Sequence, residues 1–159
     1  MRSLTNLTSQ LIAACAVGAA LAHPASASSA DDACALLTSA QVGAALGVAV
    51  GSGTYVTPTF KKTCTWTATS SGGGTVTLSL QSTELFASGR KLASSGTSVS
   101  TTSISGIGDD AYYFGSGKLV SLIVKKGAVA LKVAVYAHVP IEKQQAVEKA
   151  LALQAVLNL

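Results

Sequence analysis

The segment Thr63-Cys64-Thr65-Trp66-Thr67-Ala68-Thr69 alternates strictly between threonine and an apolar or small residue. Successive side chains of a β-strand point to opposite faces of a sheet, so this alternation predicts a strand with one apolar face and one threonine face. Residues 76–80 repeat the pattern after a flexible turn at residues 70–74. The two segments together predict a β-hairpin.

Cys64 in the first of these strands has an expected partner in Cys34. The chain has three cysteines, and Cys15 lies in a segment that we expect to be removed on export, so two remain. An even cysteine count is typical of secreted proteins, and a disulfide here would join the first helix to the sheet. By the chain-entropy estimate such a bond contributes about 3–4 kcal/mol. Two buried free thiols are the alternative. A redox pair is disfavoured because the spacing is not C-x-x-C, and no metal-binding spacing is present.

Residues 1–27 predict an export signal. Arg2 precedes an apolar run at residues 11–22, and small-residue cleavage sites end at Ala22 and Ala27. We expect cleavage after Ala27, with Ala22 as the alternative. The run is shorter than the roughly 20 residues that span a bilayer, so the mature chain is expected to lack a transmembrane helix.

Cys15 raises the alternative of a lipid anchor. Ile12-Ala13-Ala14-Cys15 resembles the bacterial lipobox, in which the cysteine is lipidated. The residues before it form a poor hydrophobic segment, which favours ordinary cleavage. The intact mass of the mature protein distinguishes the two outcomes.

The composition of residues 28–159 predicts one domain with a weakly charged surface. Charged residues make up 11% of the chain, and without Arg2 ten basic and seven acidic residues leave a net charge of +3. Aromatic residues make up 5%, and no arginine cluster is present. The basic and aromatic pattern of nucleic-acid binders is therefore missing.

Three helices are expected. Thr38, Gln41 and Gly47 form a capping box and a C-terminal stop around a helix at 39–46. A second helix is predicted at 83–93 with Ser82 or Thr83 as its cap, although an internal glycine disfavours it. Its inward residues would be Leu85, Phe86 and Leu92. A third follows Pro140, with an apolar stripe of Ile141, Val147, Ala150, Leu151 and Leu157 and with Glu142, Lys143, Glu148 and Lys149 facing outward.

The remaining segments predict loops and a β-meander. Residues 48–59 and 94–103 are expected to be loops, and 110–114, 119–124 and 129–136 are expected to be strands. The order helix, hairpin, helix, meander, helix predicts an α+β fold with an antiparallel sheet of about five strands and helices packed on one face.

Three ordered motifs also resemble a known group of proteins. They are Asp32-Ala33-Cys34-Ala35-Leu36-Leu37-Thr38 with Gln41-Val42 and Leu46-Gly47, then Cys64-Thr65-Trp66, then the segment from Gly106 to Tyr112. The pattern is similar to bacterial secreted proteins and lipoproteins built on a domain of unknown function. The resemblance implies a disulfide-linked domain outside the cytoplasm, with no assigned enzymatic activity and no established site residues.

The acidic pair Asp109-Asp110, with Tyr112 and Tyr113, is the most site-like cluster in the sequence. A glycine-flanked acidic pair can take a cation or a sugar hydroxyl. An aspartate entering a strand also commonly bonds its own turn, and two carboxylates make a poor calcium loop. These four residues are therefore the binding candidates that the sequence offers, and we expect no metal and no cofactor.

Three further features carry weaker hypotheses. His138 is the only histidine after Ala27 and could act as a base, but no nucleophile motif accompanies it. The threonine face could bind an ordered polymer or ice, although solvated β-branched packing is the ordinary interpretation. Lysines 61, 62, 125 and 126 could form one patch for an acidic partner, whereas lysines at such positions usually protect sheet edges.

The leading hypothesis is an exported, non-enzymatic binding or interaction domain whose partner is a cell-envelope component, another protein or a small molecule. One alternative is a small hydrolase that uses Asp109, Asp110 and His138, which requires the three side chains to meet in a cleft. Another is a protein inhibitor that presents the loops at 48–59 or 94–103.

Overall fold

A computed structural model describes residues 31–95 and 98–159, so the predicted export signal at 1–27, with Cys15, lies outside the described residues. The described part contains a seven-stranded antiparallel sheet and three α-helices. The strands are β1 (Thr54–Thr57), β2 (Phe60–Thr67), β3 (Thr75–Ser82), β4 (Ser100–Ile104), β5 (Asp110–Ser116), β6 (Leu119–Lys126) and β7 (Val129–Tyr136). The helices are α1 (Ser39–Leu46), α2 (Thr83–Ser94) and α3 (Ile141–Val156).

The sheet has the strand order β1-β2-β3-β7-β6-β5-β4. The hairpin and the meander that we expected are both present, and the α+β class is confirmed. The two additional strands are β1 and β4, which form the two edges; β1 lies within the loop that we expected at 48–59, and β4 begins within the one expected at 94–103 and ends one residue beyond it. Each is short and mostly exposed, so neither shows the alternation of buried residues that marks a central strand.

The first helix begins and ends as the sequence predicts. Thr38 accepts a hydrogen bond from the amide of Gln41, and the Gln41 side chain accepts one from the amide of Thr38. Gly47 ends the helix with a φ of 76°, a left-handed conformation that suits glycine. This helix and α3 cover the apolar face of the sheet, where Cys64, Trp66 and the buried valines and leucines of the central strands form the main core.

The second helix packs on the opposite face, so our prediction that the helices lie on one face was wrong. Phe86 of α2 contacts Tyr112, Ile123 and Ala130, which point away from the main core. Gly89 makes this packing possible, because a Cβ atom there would collide with the Tyr112 hydroxyl. Leu85 and Leu92 are 59% and 46% exposed rather than inward, since α2 touches the sheet along a narrow strip.

The N-terminal segment is held to the sheet by the disulfide and by side-chain hydrogen bonds. Cys34 and Cys64 are bonded, with their Cα atoms 5.0 Å apart. The carboxylate of Asp32 accepts a hydrogen bond from the amide of Cys34 and one from the hydroxyl of Tyr55 on β1. At the other end of the chain, the Asn158 amide donates to the carbonyl oxygen of Leu36. The predicted disulfide thus joins the segment before α1 to the centre of β2.

Removing the disulfide is expected to lower the free energy of unfolding by about 3–4 kcal/mol, because the unfolded chain loses its cross-link. Urea unfolding of the mature protein and of the Cys34→Ala/Cys64→Ala variant measures the difference. Reduction of the wild type by dithiothreitol should reproduce it, and dithiothreitol should leave the double variant unchanged. Equal midpoints for the oxidised and reduced wild type would contradict the assigned role.

Candidate functional site: a cleft where two central strands separate

The two central strands β6 and β7 separate at one end of the sheet. Their pairing begins at Lys126 and Val129 and ends at Leu122 and Val133. Beyond that point β6 stays paired with β5 as far as Leu119, and β7 stays paired with β3 as far as Tyr136. The facing edges of residues 119–121 and 134–136 are therefore not paired with each other.

Two side chains of α3 occupy the places that backbone hydrogen bonds would take. The amide of Val135 donates to Oε1 of Glu148 at 3.1 Å, and Nε2 of Gln144 donates to the carbonyl oxygen of Val120 at 3.1 Å. Val120 and Val135 would face each other if the register of the two strands continued. Gln144 also donates to Oε1 of Glu148 at 3.3 Å, which links the two substitutes into one chain of hydrogen bonds.

Glu148 is fully buried, although the helical pattern predicted that it would face outward. Gln144 and Glu148 are four residues apart and thus share one face of α3, the face that packs on the sheet. Oε2 of Glu148 is also buried and has no hydrogen-bond partner among the described residues. Our prediction that Glu148 faces outward was wrong, because the sequence cannot show that two strands separate. Their separation leaves the Val135 amide without a strand partner, and Glu148 accepts its hydrogen bond.

The surroundings of Glu148 favour its neutral form. Burial raises the pKa of Glu148 to about 7, and the hydrogen bonds from Val135 and Gln144 oppose only part of that increase. Burial also raises the pKa of Tyr113 to about 12, with a smaller contribution from the charge of Glu148. The Tyr113 hydroxyl donates to the carbonyl oxygen of Gln145 at 2.9 Å, so this predicted binding residue helps to hold α3 on the sheet.

A cleft of about 720 Å³ lies at the open end of the two strands. Its walls come from the turn between β5 and β6, from the end of β7 and from the loop that leads into α3. Leu119 and Tyr136 are 71% and 53% exposed and occupy facing positions on the separated strands. The lining residues are Gly117, Lys118, Leu119, Val135, Tyr136, Ala137, His138, Val139, Pro140, Ile141 and Gln144.

His138 is the one residue from our catalytic hypotheses that lines the cleft, where it is exposed. A smaller cleft of about 250 Å³ shares His138 and is bounded by Gly47 and by the glycine-rich turn between β2 and β3. The loop that carries His138 therefore lies between two concave surfaces.

The two aspartates lie at the opposite end of the sheet. Asp110 pairs with Lys125, which pairs with Ala130 near the start of β7, whereas His138 follows the end of that strand. With a rise of about 3.3 Å per residue, the separation along the strand is roughly 20 Å or more. The hydrolase hypothesis requires Asp109, Asp110 and His138 to meet in one cleft. The structure separates His138 from both aspartates, so this hypothesis is wrong.

Asp109 supports the turn between β6 and β7. Its carboxylate accepts the amide hydrogen of Gly127 at 2.7 Å and lies 3.4 Å from the ammonium nitrogen of Lys126. The hydrogen bond from Gly127 is the main cause of the lowered pKa of Asp109, and Lys126 contributes less. These contacts agree with the ordinary role of an aspartate that bonds a turn.

Asp110 and Tyr112 fasten α2 to the sheet. Asp110 forms an ion pair with Arg90 of α2, and Arg90 also donates to Ser103 on β4. The Arg90 guanidinium carbon lies 4.6 Å from the centre of the Tyr112 ring. Tyr112 is fully buried, and its hydroxyl donates to the carbonyl oxygen of Phe86 at 2.6 Å. These contacts account for the conspicuous GIGDDAYY motif as part of the scaffold.

The threonine face and the lysines also have structural partners. On the sheet, Thr63 bonds Ser79 at 3.2 Å and Thr65 bonds Thr77 at 3.4 Å, so these cross-strand hydroxyls satisfy one another. Lysines 61 and 62 lie near the carboxylates of Asp32 and Asp31, and Lys126 lies near that of Asp109. The two lysine pairs belong to β2 and β6, which are separated by two intervening strands.

Within residues 31–95 and 98–159, no group of three or more histidine, cysteine or acidic side chains could hold a metal ion. The same part of the chain contains no helix with the length and apolar character needed to cross a membrane. Comparisons of the chain with protein-family models, with curated proteins and with solved structures found no match.

The buried carboxyl group of Glu148 is expected to make the protein less stable as the pH rises. Its pKa is about 7 in the folded protein and 4.5 for a glutamate side chain free in water, so the folded state holds the proton more tightly. The resulting stabilisation is present below pH 4.5 and is lost as the pH passes through 7, a change of about 3 kcal/mol. Urea unfolding at intervals from pH 4.5 to 8.5 measures it.

The matched variants for this measurement are Glu148→Gln and Glu142→Gln, which change a buried and an exposed glutamate of the same helix. Glu148→Gln should flatten the pH profile over this range, and Glu142→Gln should keep the profile of the wild type. Parallel profiles for the wild type and Glu148→Gln would show that Glu148 does not titrate as described.

Proposed function

We propose that this chain is a non-enzymatic binding module of the cell envelope that takes a small ligand in the cleft between β6 and β7. The observation that carries the proposal is the separation of two central strands, with α3 supplying the hydrogen bonds that the strands have lost. The cleft volume of about 720 Å³ is within the range of roughly 300–1,000 Å³ that is usual for small-molecule sites.

The lining of the cleft also supports a binding role. Ligand sites are mostly apolar, with a few polar groups that orient the bound molecule. Here Leu119, Val139 and Ile141 provide apolar surface, while Lys118 and His138 provide polar groups. Leu119 and Tyr136 are exposed on the two separated strands and give the mouth of the cleft an apolar surface. Exposed apolar surface of this kind favours binding of a partner or ligand.

The buried acid behind the cleft is a second supporting feature. A hydrophobic residue at position 148 and a continuous β6–β7 ladder would avoid the desolvation of Glu148. The protein instead keeps a buried carboxyl group with one unbonded oxygen on α3, beside the end of the sheet where β6 and β7 separate. Buried groups with strongly raised pKa values are concentrated at functional sites, which favours a role at this end of the sheet rather than at Asp109 and Asp110.

The location outside the cytoplasm is supported by the Cys34–Cys64 bond, because such bonds persist in oxidising compartments. The predicted export signal and the resemblance to bacterial secreted proteins built on a domain of unknown function favour the same location. The inhibitor alternative has weaker support, since parts of both expected inhibitory loops pair with the sheet as β1 and β4.

The mature protein is expected to retain small molecules from an extract of envelope lipids and metabolites, and native mass spectrometry detects them as added mass. Tyr136→Ala should reduce the retained fraction about tenfold, because it removes one wall of the cleft. Phe60→Ala is the matched control, since Phe60 is an aromatic residue of similar exposure on β2, away from the cleft. An absence of added mass on the wild type, or equal retention by Tyr136→Ala, would contradict the proposal.

A further inference from the structure

The cleft between β6 and β7 has an apolar part and a polar part that includes a lysine, and their arrangement indicates the class of ligand. The apolar part consists of Leu119, Val135, Tyr136, Val139 and Ile141. Single exposed apolar residues are common on protein surfaces. Leu119 and Tyr136, however, occupy opposing positions on the two separated strands and line one cleft with Val139 and Ile141, so an inserted alkyl chain would cover several apolar side chains together.

The polar part consists of Lys118, which is cationic, and His138, whose ring can donate a hydrogen bond. Lys118 lies in the turn between β5 and β6, and His138 lies in the loop after β7. Lys118 takes part in none of the ion pairs within the described part of the chain. Its ammonium group is therefore available to a ligand, unlike those of Lys61, Lys62 and Lys126.

The start of α3 adds a third favourable contribution at the same place. Pro140 and Ile141 line the cleft, and Pro140 is the N-cap residue of this 16-residue helix. Proline has no side-chain acceptor, so no side chain caps the first amides of α3. The positive end of the helix dipole then acts together with Lys118 and His138 on any charge held at the cleft.

Negative charge is absent from the lining. None of the residues around the cleft is an aspartate or a glutamate within the described ranges. Glu148 is not part of the lining; it is buried and hydrogen-bonded to Val135 and Gln144, and its burial favours the uncharged form. An anionic group in the cleft therefore meets the Lys118 ammonium group, the His138 imidazole and a helix N-terminus, and a cationic group meets no exposed carboxylate.

We propose that the cleft binds an amphiphilic anion, an alkyl chain with a carboxylate or phosphate head, with the chain between Leu119 and Tyr136 and the head at Lys118 and His138. This inference rests on the proposed binding function and adds the ligand class. A carboxylate head indicates a fatty acid, and a phosphate head indicates a phospholipid fragment. The two share the chemistry that the cleft recognises.

The test uses isothermal titration calorimetry of the mature protein with four probes, each kept below its critical micelle concentration. Dodecanoate and dodecyl phosphate should bind, whereas dodecyltrimethylammonium and dodecanol should bind at least tenfold more weakly. Binding of only one of the two anions would identify the head group. In the series octanoate, decanoate and dodecanoate, affinity should rise by about two- to fourfold for each methylene buried.

Variants then locate the two parts of the probe. Lys118→Gln should weaken dodecanoate binding about five- to tenfold and leave dodecanol binding unchanged, because only the charged head loses a partner. Lys149→Gln is the matched control, since Lys149 is an exposed lysine of α3 that does not line the cleft. Tyr136→Ala should weaken the binding of both probes.

Three outcomes would overturn the inference in distinguishable ways. Equal binding of the cationic, neutral and anionic probes, with Lys118→Gln unchanged, would refute the choice of an anion and leave the proposed binding function in place. Failure of all four probes, while the envelope extract still adds mass to the wild type but not to Tyr136→Ala, would refute the amphiphile alone. Failure of the probes and of the extract would refute the proposed function as well.

Discussion

Glu148 accepts the amide hydrogen of Val135 at a position where the neighbouring strand would ordinarily supply a carbonyl oxygen. Gln144 makes the complementary contact to the carbonyl oxygen of Val120. Buried backbone groups need partners, so β6 and β7 can separate at this end only because α3 supplies them. The cleft and its exposed walls depend on this substitution of side chains for backbone, and the burial that it requires raises the pKa of Glu148.

The position of α3 depends in turn on contacts at both of its ends and along its length. Val147, Leu151, Ala152 and Ala155 pack in the main core, and the Tyr113 hydroxyl bonds the carbonyl oxygen of Gln145. Beyond the helix, Asn158 bonds the segment that the disulfide ties to β2. The N-terminal segment and α3 thus cover the same face of the sheet. The disulfide holds the first of these elements, and the second forms part of the cleft.

The opposite face is organised by different contacts. The conspicuous residues of the GIGDDAYY motif hold α2 there, through the Arg90–Asp110 ion pair and the hydrogen bond from Tyr112 to Phe86. Gly89 lowers the helix propensity of α2, but its lack of a side chain lets α2 pack closely against Tyr112. The acidic and tyrosine residues of this motif therefore have structural roles. The cleft is lined mostly by apolar residues that belong to no recognisable motif.

The sequence by itself determined the α1 cap, the alternating strands and the meander, because each depends on neighbouring residues or on a short repeat. It also indicated the cysteine pair, because residues 28–159 contain only two cysteines. It did not show the edge strands β1 and β4, whose exposed residues lack a periodic pattern, or the face on which α2 packs. Only the tertiary structure decided that β6 and β7 separate and that Glu148 turns inward. Those outcomes depend on partners that are distant in the chain, since the free amide of Val135 exists only when the assembled sheet leaves it without a strand partner.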